Sequence, residues 1–163
     1  MKKKLILICL FLVIPIKAFS LIEVDITRGN LNPLPLAVSP LSIDENSKKS
    51  FEKILDKENI GSEISIIVEN NLRTSGLFNP LSKDAFLQAP DIANLKPRFE
   101  DKNIIKAQAK ITGKVTYVNE KWRVEFRLWY VLAGKEMMAL AFTTVPNNWR
   151  RVGHIISDKI YER

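Results

Sequence analysis

The sequence predicts an α/β domain: a mixed sheet with helices packed on it, ending in an antiparallel meander and a carboxy-terminal helix. Three observations carry this expectation. Residues 107–142 alternate apolar and polar in three runs separated by short turn signals. Two segments, 62–76 and 146–160, carry apolar residues at helical spacing. Between the amino terminus and the first of these lie short runs with strand character, bounded by Gly, Asn and Pro.

Taken in chain order, Leu21 to Thr27 sets Ile22, Val24 and Ile26 against Glu23, Asp25 and Thr27, the period of a half-buried strand, and Gly29-Asn30 ends it. Leu36-Ala37-Val38 follows two prolines and reads as a short buried strand closed by Ser39-Pro40. Ser42 to Lys57 is charged, with Phe51, Ile54 and Leu55 at helical spacing, which predicts a short amphipathic helix. In the next helix Ile64, Ile67, Val68 and Leu72 form one face, Ser62 is the expected cap, and Gly76 stands at the left-handed position beyond its end. Leu77-Phe78 predicts another short strand stopped by Pro80, and Ser82 to Pro97 a long surface connection.

The meander is the clearest signal. Ala107, Ala109, Ile111, Gly113, Val115 and Tyr117 share one face of its first strand, and Asn119-Glu120 makes a tight turn. Trp122, Val124, Phe126, Leu128 and Tyr130 then share a face of the second strand. Gly134-Lys135 turns the chain again, and Met138, Leu140 and Phe142 mark the third strand. Pro146-Asn147-Asn148 starts the last helix, whose inner face is Trp149, Val152, Ile156 and Ile160.

Bulk composition excludes several classes. A chain of 163 residues with 46% hydrophobic and 26% charged residues is that of a globular domain, not a disordered one. The net charge of +7 includes Lys2, Lys3, Lys4 and Lys17, so the chain beyond residue 20 carries only +3. The first twenty residues have the three parts of an export leader: a basic start, an apolar run from Leu5 to Ile16, and Ala18-Phe19-Ser20 before the expected cleavage. Pro15 and Lys17 interrupt the run short of the roughly 20 apolar residues a bilayer span needs. The expected organisation is therefore a signal peptide, 1–20, and one domain, 21–163. Cys9 is the only cysteine and lies in the leader, so the domain itself has no thiol for a disulfide or a metal.

Catalytic signatures are few. His154 is the only histidine, it stands in the last helix, and a second imidazole or thiol to complete a metal or nucleophile site is missing. Neither a phosphate-cradling glycine loop nor a nucleophile elbow occurs. No cofactor, metal or catalytic residue is expected. Lys110, Lys114, Arg123 and Arg127 share the polar face of two neighbouring strands with Trp129, an arrangement that fits either a single-stranded nucleic-acid or other polyanion surface, or an ordinary face covered by snorkelling stems. Export argues for the second, and nucleic acid is not an expected partner. Glu23 and Asp25 lie two apart on one strand face, as edge charges commonly do. Leu21 to Thr27, at the expected mature terminus, fits equally an ordinary edge strand or a segment recognised by edge pairing with a partner.

Together, Leu21 to Thr27, Pro35-Leu36-Ala37-Val38, Asn71-Leu72-Arg73-Thr74-Ser75-Gly76-Leu77-Phe78, Val124-Glu125-Phe126-Arg127-Leu128-Trp129 and Trp149-Arg150-Arg151-Val152-Gly153-His154 with Ser157-Asp158-Lys159-Ile160-Tyr161-Glu162 resemble, in this order, the TolB amino-terminal domain family. The resemblance implies an anticodon-binding-like α/β fold and a non-enzymatic periplasmic adaptor of the Tol-Pal envelope system, which supports outer-membrane integrity and envelope constriction. It also implies TolA as partner, through Leu21, Ile22, Glu23, Val24, Asp25, Ile26 and Thr27. In the family, Pal is bound by a β-propeller with no counterpart in this sequence, so Pal is a doubtful partner. The stretch Glu45 to Asn59 is longer and more charged than the family pattern.

Overall fold

The computed structural model describes residues 32–55, 59–82, 97, 99 and 106–163. Its elements are β1 (Leu34–Val38), β2 (Ser42–Ile43), α1 (Glu45–Leu55), α2 (Ile60–Thr74), β3 (Phe78–Pro80), β4 (Ala109–Val118), β5 (Lys121–Tyr130), β6 (Lys135–Thr144) and α3 (Trp149–Tyr161). The strands form one mixed sheet in the order β3-β1-β4-β5-β6, with β2 also paired to β4. β1 runs parallel to β3 and β4, whereas β4, β5 and β6 are antiparallel. The predicted α/β class, the meander and the closing helix are all present. The expected strand Leu21 to Thr27 lies outside the described residues.

β1 is interior, hydrogen-bonded on both sides, and its residues 36–38 are buried. Such strands read as unbroken apolar runs because both faces are covered. Leu36 and Val38 enter the main core, while Ala37 joins a smaller cluster with Ala107 and Val131, against which Leu81 and Phe99 pack. Pro40 then ends the ladder, and Ser42–Ile43 rejoin β4 farther along, opposite Lys114 and Val115. The charged pattern of Ser42 to Lys57 predicts a helix for these two residues. They are a strand because β4 is long enough to pair β1 and β2 in succession.

The break between β1 and β2 is held by α2. Buried Ser65 accepts the Leu41 amide at 3.0 Å, and its hydroxyl reaches Ser39 O at 3.1 Å and Gly61 O at 2.9 Å. A backbone donor that has left the ladder is thus satisfied inside the core. Gly61 makes the approach possible: a Cβ there would stand 2.0 Å from Leu41 O.

Both amino-terminal helix caps are local. Asp44 caps α1, accepting from Ser47 N at 2.9 Å and from Ser47 Oγ at 2.6 Å. The same Ser47 Oγ accepts from Tyr117 N at 2.7 Å, tying the cap to β4. In α2 the cap is Asn59, which accepts from Ser62 N at 3.0 Å, so Ser62 is the donor to the cap and not the cap itself. Gly76 has the expected left-handed backbone, φ +74°.

All three helices pack on the same face of the sheet. Phe51, the α2 stripe Ile64, Val68 and Leu72, and the α3 stripe Val152, Ile156 and Ile160 meet Ile111, Val115, Trp122, Val124, Phe126 and Leu128 in one cluster. Phe51 stands edge-on to Trp122 at 5.5 Å and to Trp149 at 6.3 Å, an arrangement aromatic quadrupoles favour. α3 lies against α2 at Gly153, where a Cβ would be 2.8 Å from Ile67 Cγ2. Of the predicted long connection, Pro97 is buried, and nearby Phe99 packs edge-on to Trp129 at 5.7 Å, so this stretch is not wholly a surface passage.

Two stability effects follow. Ser65→Ala leaves the Leu41 amide only its longer bond to Gly61 O, 3.4 Å, and should cost about 1–3 kcal/mol, whereas Gly61→Ala pushes a methyl into backbone and should cost as much or more; urea unfolding with unchanged m-values checks both. Hydrogen bonds from the Ser47 hydroxyl and nearby amides hold the Asp44 carboxyl below its ordinary value of 3.8. Its contribution is therefore present above that value and lost as pH falls through the lower folded-state value. Asp44→Ala should cost about 1 kcal/mol at neutral pH, and the gap from the parent protein should close below pH 3.8 when unfolding is measured across an acid series.

Candidate functional site

Leu21 to Thr27 lie outside the described residues, as do Glu23 and Asp25 among them, so the structure contributes the frame to which this segment is joined. Asn32 and Pro33 are exposed and lead directly into β1. The first anchoring contacts are Leu34 N to Leu77 O at 2.9 Å and Gln108 N to Pro35 O at 2.9 Å. β1 is therefore fixed on both sides at the point where the described chain begins. Val131 N to Gln108 O, 2.9 Å, closes the same end of the sheet, which carries exposed Leu77, Tyr130 and Leu132.

The basic strand face does not form the surface that its sequence allowed. Lys110 is 1% exposed and Trp129 is 5% exposed, with the indole N–H donating to Thr112 Oγ1 at 2.9 Å. A buried indole offers no face on which a base could stack. Lys114 and Arg123 both pair with Glu125, at 3.6 and 3.0 Å, and Arg127 pairs with Glu136. Of these pairs only Lys114 and Glu125 are directly opposite on neighbouring strands; Arg123 and Glu125 share β5, and Glu136 stands in register with Trp129. Trp122 and Trp149 are core residues, as their apolar stripes predicted. Trp122 Nε1 has no hydrogen-bond partner among the described residues.

His154 is exposed on α3. Its Nδ1 lies 2.9 Å from the Asn71 amide nitrogen, which also donates to Ser157 Oγ at 3.1 Å. The Ser157 hydroxyl in turn donates to Gly153 O at 2.9 Å. Asn71 thus clamps α2 to α3, and the hydroxyl and imidazole are engaged in holding helices together. Among the described residues no group of His, Cys, Asp and Glu could hold a metal ion, and no helix is long and apolar enough to cross a membrane.

The comparisons with known proteins agree with the fold. Residues 22–137 match the model of the TolB amino-terminal domain. The Tol-Pal system protein TolB of Pelagibacter ubique (strain HTCC1062) is 80% identical over 157 residues, covering 96% of this chain and 35% of the relative. The chain thus spans about a third of that relative's length. The crystal structure of TolB from Acinetobacter baumannii superposes with a TM-score of 0.59 at 20% identity, over 80% of this chain and 28% of that one, a likeness of fold. On the family match and this identity, the chain belongs to the TolB amino-terminal domain family.

Proposed function

We propose that this chain supplies a non-enzymatic adaptor domain of the Tol-Pal system, exported to the periplasm behind a leader at 1–20, with the domain at 21–163. It engages TolA through Leu21 to Thr27 and so contributes to outer-membrane integrity and envelope constriction. The observation that carries the reading is the family match, which begins at Ile22, inside the proposed segment. The anchored β1 supports it: the segment is joined to one of the best-held strands of the sheet, so a pull on it would be borne by the domain.

The binding mode follows from the pattern. In extended form the segment would present Ile22, Val24 and Ile26 on one side and Glu23, Asp25 and Thr27 on the other, and its main-chain groups would pair with a sheet edge. Ordering seven residues costs about 1–2 kcal/mol each. Burial of the three β-branched side chains returns roughly 1.5–3 kcal/mol apiece, and each new hydrogen bond about 1 kcal/mol. These terms nearly cancel, so ordering the segment consumes most of what burial and pairing return, and the affinity should be weak.

Titration of the chain against the carboxy-terminal domain of TolA should give saturable binding, with Pal as a parallel sample. Deleting Leu21 to Thr27 should abolish it and leave the circular dichroism spectrum and melting temperature nearly unchanged. Undiminished affinity of the deletion variant would overturn the proposed site. Val24→Asp, which puts a charge on the apolar side, should weaken binding at least tenfold, whereas Glu23→Gln should have a smaller effect that shrinks further with added salt.

A further inference from the structure

The sheet has a long edge in β6. Among the described residues β6 is paired only to β5, and from Met138 to Thr144 it carries neither charge, proline nor glycine. Natural sheets blunt such edges with charges, bulges or proline. Here the protection sits at the two ends. Lys135, Glu136 and the bulged Met137, which has no partner opposite the Leu128–Trp129 step, guard the start, and Pro146 stands just past the finish. Among the described residues nothing guards the seven between.

On the helix side of this window Met138, Leu140 and Phe142 continue the core outward. Phe142 stacks on Phe126 at 6.1 Å, while Leu140, opposite Phe126, is 38% exposed. On the other side Ala139, Ala141 and Thr143 are small and exposed.

We infer that the β6 edge is a self-association surface, on which a second copy of this chain pairs antiparallel through its own residues 138–144. The window is self-complementary. With the two-fold axis at Ala141, Ala139 lies opposite Thr143 of the second copy and Leu140 opposite Phe142, each pairing occurring twice. The half-exposed Leu140 is thereby covered by an aromatic ring, no like charges meet, and the bulge and Pro146 fall just outside the ladder. A foreign strand would ordinarily be selected by charges along the edge, and this window carries none. A second copy needs no such code, because every position is matched by the symmetry.

A strand pair alone buries less than the roughly 1,200 Å² of a stable interface, so the dimer should be weak, with Kd on the order of 100 µM. Sedimentation velocity of the full chain from 5 to about 500 µM, a range chosen to bracket that value, should show monomer passing into dimer. Ala141→Lys and Ala141→Glu each place like charges at the axis on the solvent side, away from the core. Each should weaken dimerisation at least tenfold with unchanged circular dichroism and melting temperature, and an equimolar mixture should recover the dimer. A monomer throughout the range, a dimer indifferent to either substitution, or a mixture that fails to recover it would overturn the inference.

Discussion

The structure turns on the break in the ladder at Pro40. Strand β1 must be held between β3 and β4, yet the chain has to leave that line to enter α1 on the helix side of the sheet. Leaving takes the Leu41 amide off the ladder, and α2 meets it with the Ser65 hydroxyl and, at longer range, Gly61 O. The contact works only because Gly61 lets helix backbone touch loop backbone. Helix position and strand path are thereby fixed together: α2 cannot shift along the sheet without exposing the amide, and β2 cannot re-pair without losing the helix.

From that seat the rest of the core follows. α2 presents Ile64, Val68 and Leu72 to the sheet and receives α3 along the Gly153–Ile67 contact, while Phe51 from α1 fills the space between Trp122 and Trp149. The helices occupy one face, and the opposite face is organised by polar pairing over most of its width. Charges there are paired, Lys114 with Glu125 on the next strand, Arg123 with Glu125 on its own, and Arg127 with Glu136 on β6. Exposed pairs of this kind add little stability individually, but they offset part of the positive charge on this face.

Much of this was legible in the residues. The meander, both long helices, the turn at Asn119-Glu120 and the buried Leu36-Ala37-Val38 all follow from periods of 2 and 3.6 and from turn chemistry. The errors have a common origin. The pattern assigns Ser42–Ile43 to a helix, and Ser62 to a cap that Asn59 supplies, because a boundary depends on which neighbour offers a hydrogen-bond partner, and short runs do not carry that information. The same limit applied to the basic face: four cations and a tryptophan were visible, but their partners lie on other strands or residues apart in sequence.

By itself, then, the sequence determined the fold class, the order of most elements, the core stripes and the kinship with one family, because these depend on local periodicity and on runs of residues that stand together. Only the tertiary structure decided that Trp129 and Lys110 are buried, that β1 is the interior strand from which the amino-terminal segment departs, and that β6 ends the described sheet with an uncharged window. Those properties depend on register and on strand order, which bring together residues far apart in the chain. No local pattern encodes them.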